Sequence, residues 1–206
     1  MSSPADLRPG DLMFTTIPGI GGKLIALGEK INDKSVTWDV AKKVQHVGVV
    51  TSSCYRWPPR GAAGPLLVQA MPAGAEEVEI GSDYWNPSCI YVRPGYKSEY
   101  TPPRVAQFAR SYIGVPYSFL DYAAIAGRHM LALKPTQRTL FDRYVSSTKH
   151  MICSQLADQA LSDANFHVFD DGRIPQDVTP AALYSALLDR PGTQICSSAF
   201  DWFEPV

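Results

Sequence analysis

The hydrophobic pattern of this chain changes rhythm near its middle. In the first half the apolar residues come in short runs: Leu12-Met13-Phe14, Val47-Gly48-Val49-Val50, Leu66-Leu67-Val68 and Ile90-Tyr91-Val92. Runs of this length between turn-forming residues predict strands. The turn Leu7-Arg8-Pro9-Gly10-Asp11 feeds the first, with Asp11 expected to fix it. The second covers 44–51, the third covers 66–70 with Gln69 as its polar interruption, and the fourth covers 89–93, ended by Pro94-Gly95. The stretch 56–65 is dense in Pro and Gly and predicts a loop. A glycine-rich turn over 17–23 opens a helix over 23–31, with Leu24, Ile25, Leu27 and Ile31 inward; 32–43 is polar and mixed around Trp38.

In the second half the spacing becomes helical. Pro102 and Pro103 occupy the permitted first turn of a helix that aligns Val105, Phe108, Ala109 and Tyr112, and Gly114-Val115-Pro116-Tyr117 ends it. Further helices are predicted over 120–133, 153–164 and 180–188, the last capped by Thr179, with 134–150 irregular. Strands joined by short gaps, then helices, predict an α+β class with an antiparallel sheet in a single domain over 1–206.

At 206 residues the chain can bury a full core. Its net charge of -1 gives no reason to expect nucleic acid or an anionic membrane as partner, and no apolar run is long enough to span a bilayer. The opening Met1-Ser2-Ser3-Pro4-Ala5-Asp6 lacks the basic and apolar regions of a signal peptide, so synthesis and folding in a cytosol are expected. The segment ending Gly21-Gly22-Lys23 fails as a phosphate loop, because Leu24 stands where Ser or Thr is required. Cys54, Cys89, Cys153 and Cys196 form no Cys-x-x-Cys pair, and His46, His129, His150 and His167 show no ligand spacing. No metal, cofactor or disulfide framework is therefore expected.

Cys153 opens a helix whose Leu156, Ala157, Ala160 and Leu161 form a buried face. A thiol in the first turn feels the partial positive charge of unpaired N–H groups, which favours thiolate. His46 is a single imidazole set in an apolar strand, suited to serve as base. Each residue alone is more often an inert core side chain than a catalytic one. His150 and His167 lie nearer Cys153 in sequence, but neither is embedded in an apolar strand.

The order Arg8-Pro9-Gly10-Asp11-Leu12, His46-Val47-Gly48, Val68-Gln69-Ala70, Gly114-Val115-Pro116-Tyr117 and Cys153-Ser154 resembles the circularly permuted NlpC/P60 superfamily of papain-like cysteine hydrolases, its YiiX/YebB-like branch above all. The histidine precedes the cysteine, which is the permuted order. The resemblance implies a permuted papain-like fold with Cys153 as nucleophile, His46 as general base and acid, and Gln69 at the third polar position. Tyr117 and Ser154 are weaker candidates for substrate or oxyanion contact. Two departures stand out: Gln69 and Gln155 occupy positions where Glu is expected, and the segment from Tyr117 to Cys153 is long. The Asn-Cys-Glu-His-Phe motif of the lecithin–retinol acyltransferase branch is absent.

A neutral amide at 69 can orient an imidazole without supplying charge, as in Cys–His–Asn enzymes, and a core glutamine would look the same. The N–H of Cys153 is the natural first oxyanion donor. The function implied is cleavage of an amide bond, in cell-wall peptide, through a thioester. Alternatives are a lipid or acyl ester or thioester hydrolase, and a catalytically idle module that binds or assembles, for example within a phage particle. The expected partners are a peptide or acyl conjugate, including peptidoglycan, and an assembly partner if the chain travels on a virion.

Overall fold

The computed structural model describes residues 6–18, 22–23, 25–27, 30, 36–53, 64–116 and 151–196. Among them are strands β1 (Leu12–Thr15), β2 (His46–Val50), β3 (Leu66–Met71), β4 (Gly74–Glu79), β5 (Cys89–Arg93) and β6 (Gln194–Ile195). The helices are α1 (Trp38–Lys43), α2 (Thr101–Ser111), α3 (Cys153–Asp163) and α4 (Pro180–Leu188), with a short 3-10 turn at Pro175–Asp177. The class is mixed α+β. Predicted helix 120–133, segment 134–150 and most of loop 56–65 lie outside the described residues.

All six strands join one antiparallel sheet in the order β4-β3-β2-β1-β5-β6. The four-residue β1 is central, with Leu12 opposite Val49 on one side and Val92 on the other. Alternation along the strands sends Leu12, Phe14, Val47, Val49, Val68 and Val92 to the main core, where Leu156, Ala157, Ala160 and Leu161 of α3 meet them. Phe14 meets Tyr184 of α4 edge to face, with ring centres 5.2 Å apart. Met13, Val50, Leu67 and Tyr91 build a smaller core on the opposite face.

The turn before β1 is built around Asp11, as expected, and does more than close itself. Asp11 accepts the Arg8 N–H at 2.8 Å and a two-pronged contact from Arg93, Nε at 2.8 Å and Nη2 at 2.7 Å. Gly10 sits at φ +87, and a Cβ there would stand 2.8 Å from Pro102 Cα. No other residue fits that backbone without moving α2.

Helix α1, strands β4 and β6 and the turn at Pro175–Asp177 were not predicted. Thr37 caps the short helix α1 within the stretch read as mixed, its hydroxyl accepting from Val40 N–H. Strand β4 follows β3 through Pro72-Ala73, and its glutamates suit a sheet edge. The Gly114–Val115 segment then lines part of that edge, exchanging hydrogen bonds of 2.8 Å with Ala75. Thr179 caps α4 as expected, accepting from Ala182 N–H. One inward assignment is corrected: Leu27 is exposed, whereas Ile25 is buried as expected and Ala26 is buried beside it; Leu24 and Ile31 lie outside the described residues. No helix among the described residues is long and apolar enough to cross a membrane.

On α3, one turn beyond Ser154, Asp158 is buried. Burial pushes its carboxyl up to about 6, and the nearby Arg173 guanidinium offsets this only in part. The folded protein thus binds this proton more tightly than the unfolded chain does. Stability from the group is full below the ordinary carboxylate range and is lost as pH rises through about 6. Asp158→Asn should therefore match wild type near pH 3.5 and exceed it by about 2–3 kcal/mol above pH 7. Urea denaturation at the two pH values checks this.

Candidate active site

Cys153 is the first residue of α3, after an extended Ile152 that gives the helix no side-chain cap. Its approach is pinned by Met151 N–H on the Pro116 carbonyl at 3.0 Å. The buried apolar face of α3 sets the helix start level with the beginning of β2, so the Cys153 sulfur faces the His46 side chain and the backbone N–H groups of Val47 and Ser154, each of which favours the thiolate. Burial alone would push this thiol up. The facing imidazolium charge, its hydrogen bond and the two backbone donors override burial and leave it below the ordinary thiol range.

His46 is the first residue of β2, and its neighbour fixes that start. Gln45 donates its backbone N–H to the Thr15 carbonyl at 2.9 Å. Its side-chain oxygen accepts from Ile17 N–H at 2.9 Å, and its Nε2 donates to the Lys42 carbonyl at 3.0 Å. Burial would lower the imidazole; the Cys153 charge, then the Cys153 and Gln69 hydrogen bonds, reverse this and raise it above its ordinary value. The two shifts share one cause, the attraction between the charged forms of the facing ring and sulfur. The His46 Nε2–H donates to Gln69 Oε1 at 2.9 Å, which leaves Nδ1 for the sulfur.

Register explains why Gln69 reaches the ring. Gln69 lies opposite Gly48, so His46, two residues earlier, is its diagonal neighbour on the same face. Beyond its carbonyl, Gln69 is held by its amide nitrogen, which donates to Tyr84 Oη at 2.6 Å and Glu76 Oε1 at 3.3 Å. Neither Tyr84 nor Glu76 was a candidate from sequence. The signal available for Glu76 was its place one tight hairpin beyond Gln69; Tyr84 is delivered by a loop and left none. The buried Tyr91 hydroxyl holds that loop by donating to the Tyr84 carbonyl at 2.6 Å.

The structure thus brings Cys153, His46 and Gln69 together, with relative exposures of 2%, 7% and 0%. The Ser154 hydroxyl donates to the Val178 carbonyl at 2.7 Å in a fully buried position, joining α3 to the start of α4. Tyr117 and His150 lie outside the described residues. His167 is exposed beside Ser162 Oγ at 3.4 Å, past the far end of α3, about 16 Å from its start. Cys89 and Cys196 are free thiols away from this pair; burial raises both, Cys196 to about 11. Among the described residues no group of three or more His, Cys, Asp or Glu could hold a metal ion.

No family model matches the sequence, and no curated protein matches it. Among solved structures, the chain is similar to the crystal structure of the metalloprotein yiiX from Escherichia coli. The TM-score is 0.52 at 17% identity, over 92% of this chain and 96% of that one. At this identity the likeness concerns the fold alone.

Proposed function

We propose that this chain is a cysteine hydrolase of the permuted papain-like kind that cleaves an amide bond, in cell-wall peptide, through a thioester. The observation that carries the proposal is the buried line Cys153–His46–Gln69, in which the Nε2–H bond to Gln69 leaves the other ring nitrogen to the sulfur. The likeness in fold to yiiX supports the architecture, and the order histidine before cysteine supports the permutation.

In this reaction the Cys153 thiolate attacks the carbonyl carbon, and the resulting oxyanion is met by backbone N–H groups at the start of α3. The imidazolium gives its proton to the leaving amine as the C–N bond breaks, which leaves a thioester and a neutral imidazole. That imidazole then takes a proton from water, which attacks the thioester. The acid departs, and the thiolate–imidazolium pair is restored. No step uses a metal.

A second reading has one observation in its favour. The low exposure of Cys153 and His46 suits a catalytically idle module that binds or assembles. Brief treatment with iodoacetamide at pH 6 to 9, followed by mass mapping, separates the two. An activated thiol gives fast labelling at Cys153 near neutral pH and little at Cys89 and Cys196, whose thiols burial raises. Hydrolysis of wall peptide should fall in step with that labelling. Labelling of Cys153 no faster than the other two would leave the idle module.

A further inference from the structure

We propose that Glu76 is a positioning residue for the Cys153–His46 pair, acting through Gln69: its carboxylate fixes which end of the Gln69 amide faces the imidazole. The chemistry this serves rests on the hydrolase reading above; the geometry rests on the register of β3 and β4.

A glutamine side chain is nearly symmetric in shape but not in hydrogen bonding, since one end accepts and the other donates. For His46 to remain an imidazolium, Gln69 must turn its oxygen to the ring, as it does at 2.9 Å. Turned over, its NH2 would face the ring N–H, donor against donor, and the imidazole could avoid this only by giving up its Nε2 proton. Something at the far end of the amide must therefore prefer NH2 to C=O.

Two groups stand there. The Tyr84 hydroxyl, 2.6 Å from Nε2, can donate or accept and so is indifferent to the turn. Ionised Glu76 can only accept. The register sets it directly opposite Gln69 on β4, with Oε1 3.3 Å from Nε2. Of the two groups at that far end, Glu76 alone selects the orientation. It also supplies the negative charge that the neutral Gln69 lacks, passing it to the imidazolium through the polarised amide.

The ionisable groups facing Gln69 are Glu76 from β4, Tyr84 from the loop after it and His46 from β2. Adjacent Glu77 points to the other face of β4, where Arg110 Nε meets it at 2.6 Å and Thr51 also donates to it. It serves as the control carboxylate.

The test reads ionisation rather than turnover. The pH dependence of Cys153 alkylation and the NMR titration of the His46 ring are measured in wild type, Glu76→Gln, Glu77→Gln and the Gln69→Glu/Glu76→Gln double variant. Glu76→Gln keeps the size of the side chain but removes the charge and the preference. It should lower the His46 titration and slow Cys153 alkylation at pH 6 by about threefold or more, the effect of about half a unit in thiol pKa. Glu77→Gln should follow wild type. The double variant places a carboxylate directly on the imidazole and an amide at 76, and should recover the wild-type profile or exceed it.

A wild-type profile in Glu76→Gln, or no recovery in the double variant, overturns the proposal. Its fate is separable from that of the hydrolase. A shifted profile in Glu76→Gln together with no hydrolysis by wild type keeps the positioning role and sinks the enzyme. Hydrolysis with an unshifted profile does the reverse.

Discussion

Cys153→Ala and His46→Ala are each expected to abolish turnover of an amide substrate, by at least about 10³-fold, and the double variant to be scarcely worse than either one. Residues that act as a unit are non-additive because removing either disables the shared step. The geometry leads to this expectation. One nitrogen of His46 is committed to Gln69, so the ring has a single nitrogen for the sulfur. His46→Ala should also move Cys153 alkylation to higher pH, since the thiolate loses its imidazolium and keeps only the two backbone donors against burial. The wild-type pH profile should be bell-shaped. The ion pair exists above the depressed thiol pKa, which lies below the ordinary 9.0, and below the raised imidazole pKa, which lies above the ordinary 6.5. Steady-state rates from pH 5 to 10 on the three variants and wild type measure all of this. Turnover retained by Cys153→Ala would remove the nucleophile from the mechanism.

The largest effect on stability is expected at Arg93. Its guanidinium grips both carboxylate oxygens of Asp11, whose side chain is 1% exposed. Arg93→Ala leaves that carboxylate buried with only the Arg8 N–H, and should cost about 3 kcal/mol or more in urea unfolding. Replacing both partners by apolar residues of similar size, Asp11→Leu with Arg93→Met, should cost less than Arg93→Ala alone, because no charge is then stranded. A double variant clearly worse than Arg93→Ala would mean that the pair stabilises through contacts other than its charges.

What could be read along the chain was local, and what could not be read was relational. The apolar run around His46 and the helical spacing after Cys153 are properties of neighbouring residues, and strand β2 and helix α3 stand where those patterns put them. Gln69 was legible as the polar interruption of an apolar strand, and the family resemblance set it beside His46. Strand β4 was missed because Gly74-Ala75-Glu76-Glu77 combines residues that are poor in strands, and it forms only as an edge partner of β3. Glu76 and Tyr84 came with it, since their contacts with Gln69 depend on register and on a loop folded back over the sheet. The Ser154 hydroxyl is the opposite case. Adjacency to Cys153 suggested a role in chemistry, but one residue along a helix turns a side chain by about 100°, here toward Val178.

The central place of β1 has a consequence for how the molecule assembles. Strands β2, β3 and β4 form a meander of close neighbours, and β5 with β6 forms a separate pair; β1 alone bonds to both groups. During synthesis β1 leaves the ribosome before any of them, yet its second partner follows only with residues 89–93. At ribosomal rates that delay lasts on the order of seconds, during which Leu12, Met13 and Phe14 have at most one strand to cover them. The half of the sheet that carries His46 and Gln69 can therefore pair early, whereas the free side of β1 stays open until β5 arrives. Aggregation of nascent or truncated chains should accordingly concentrate in products that end between β4 and β5.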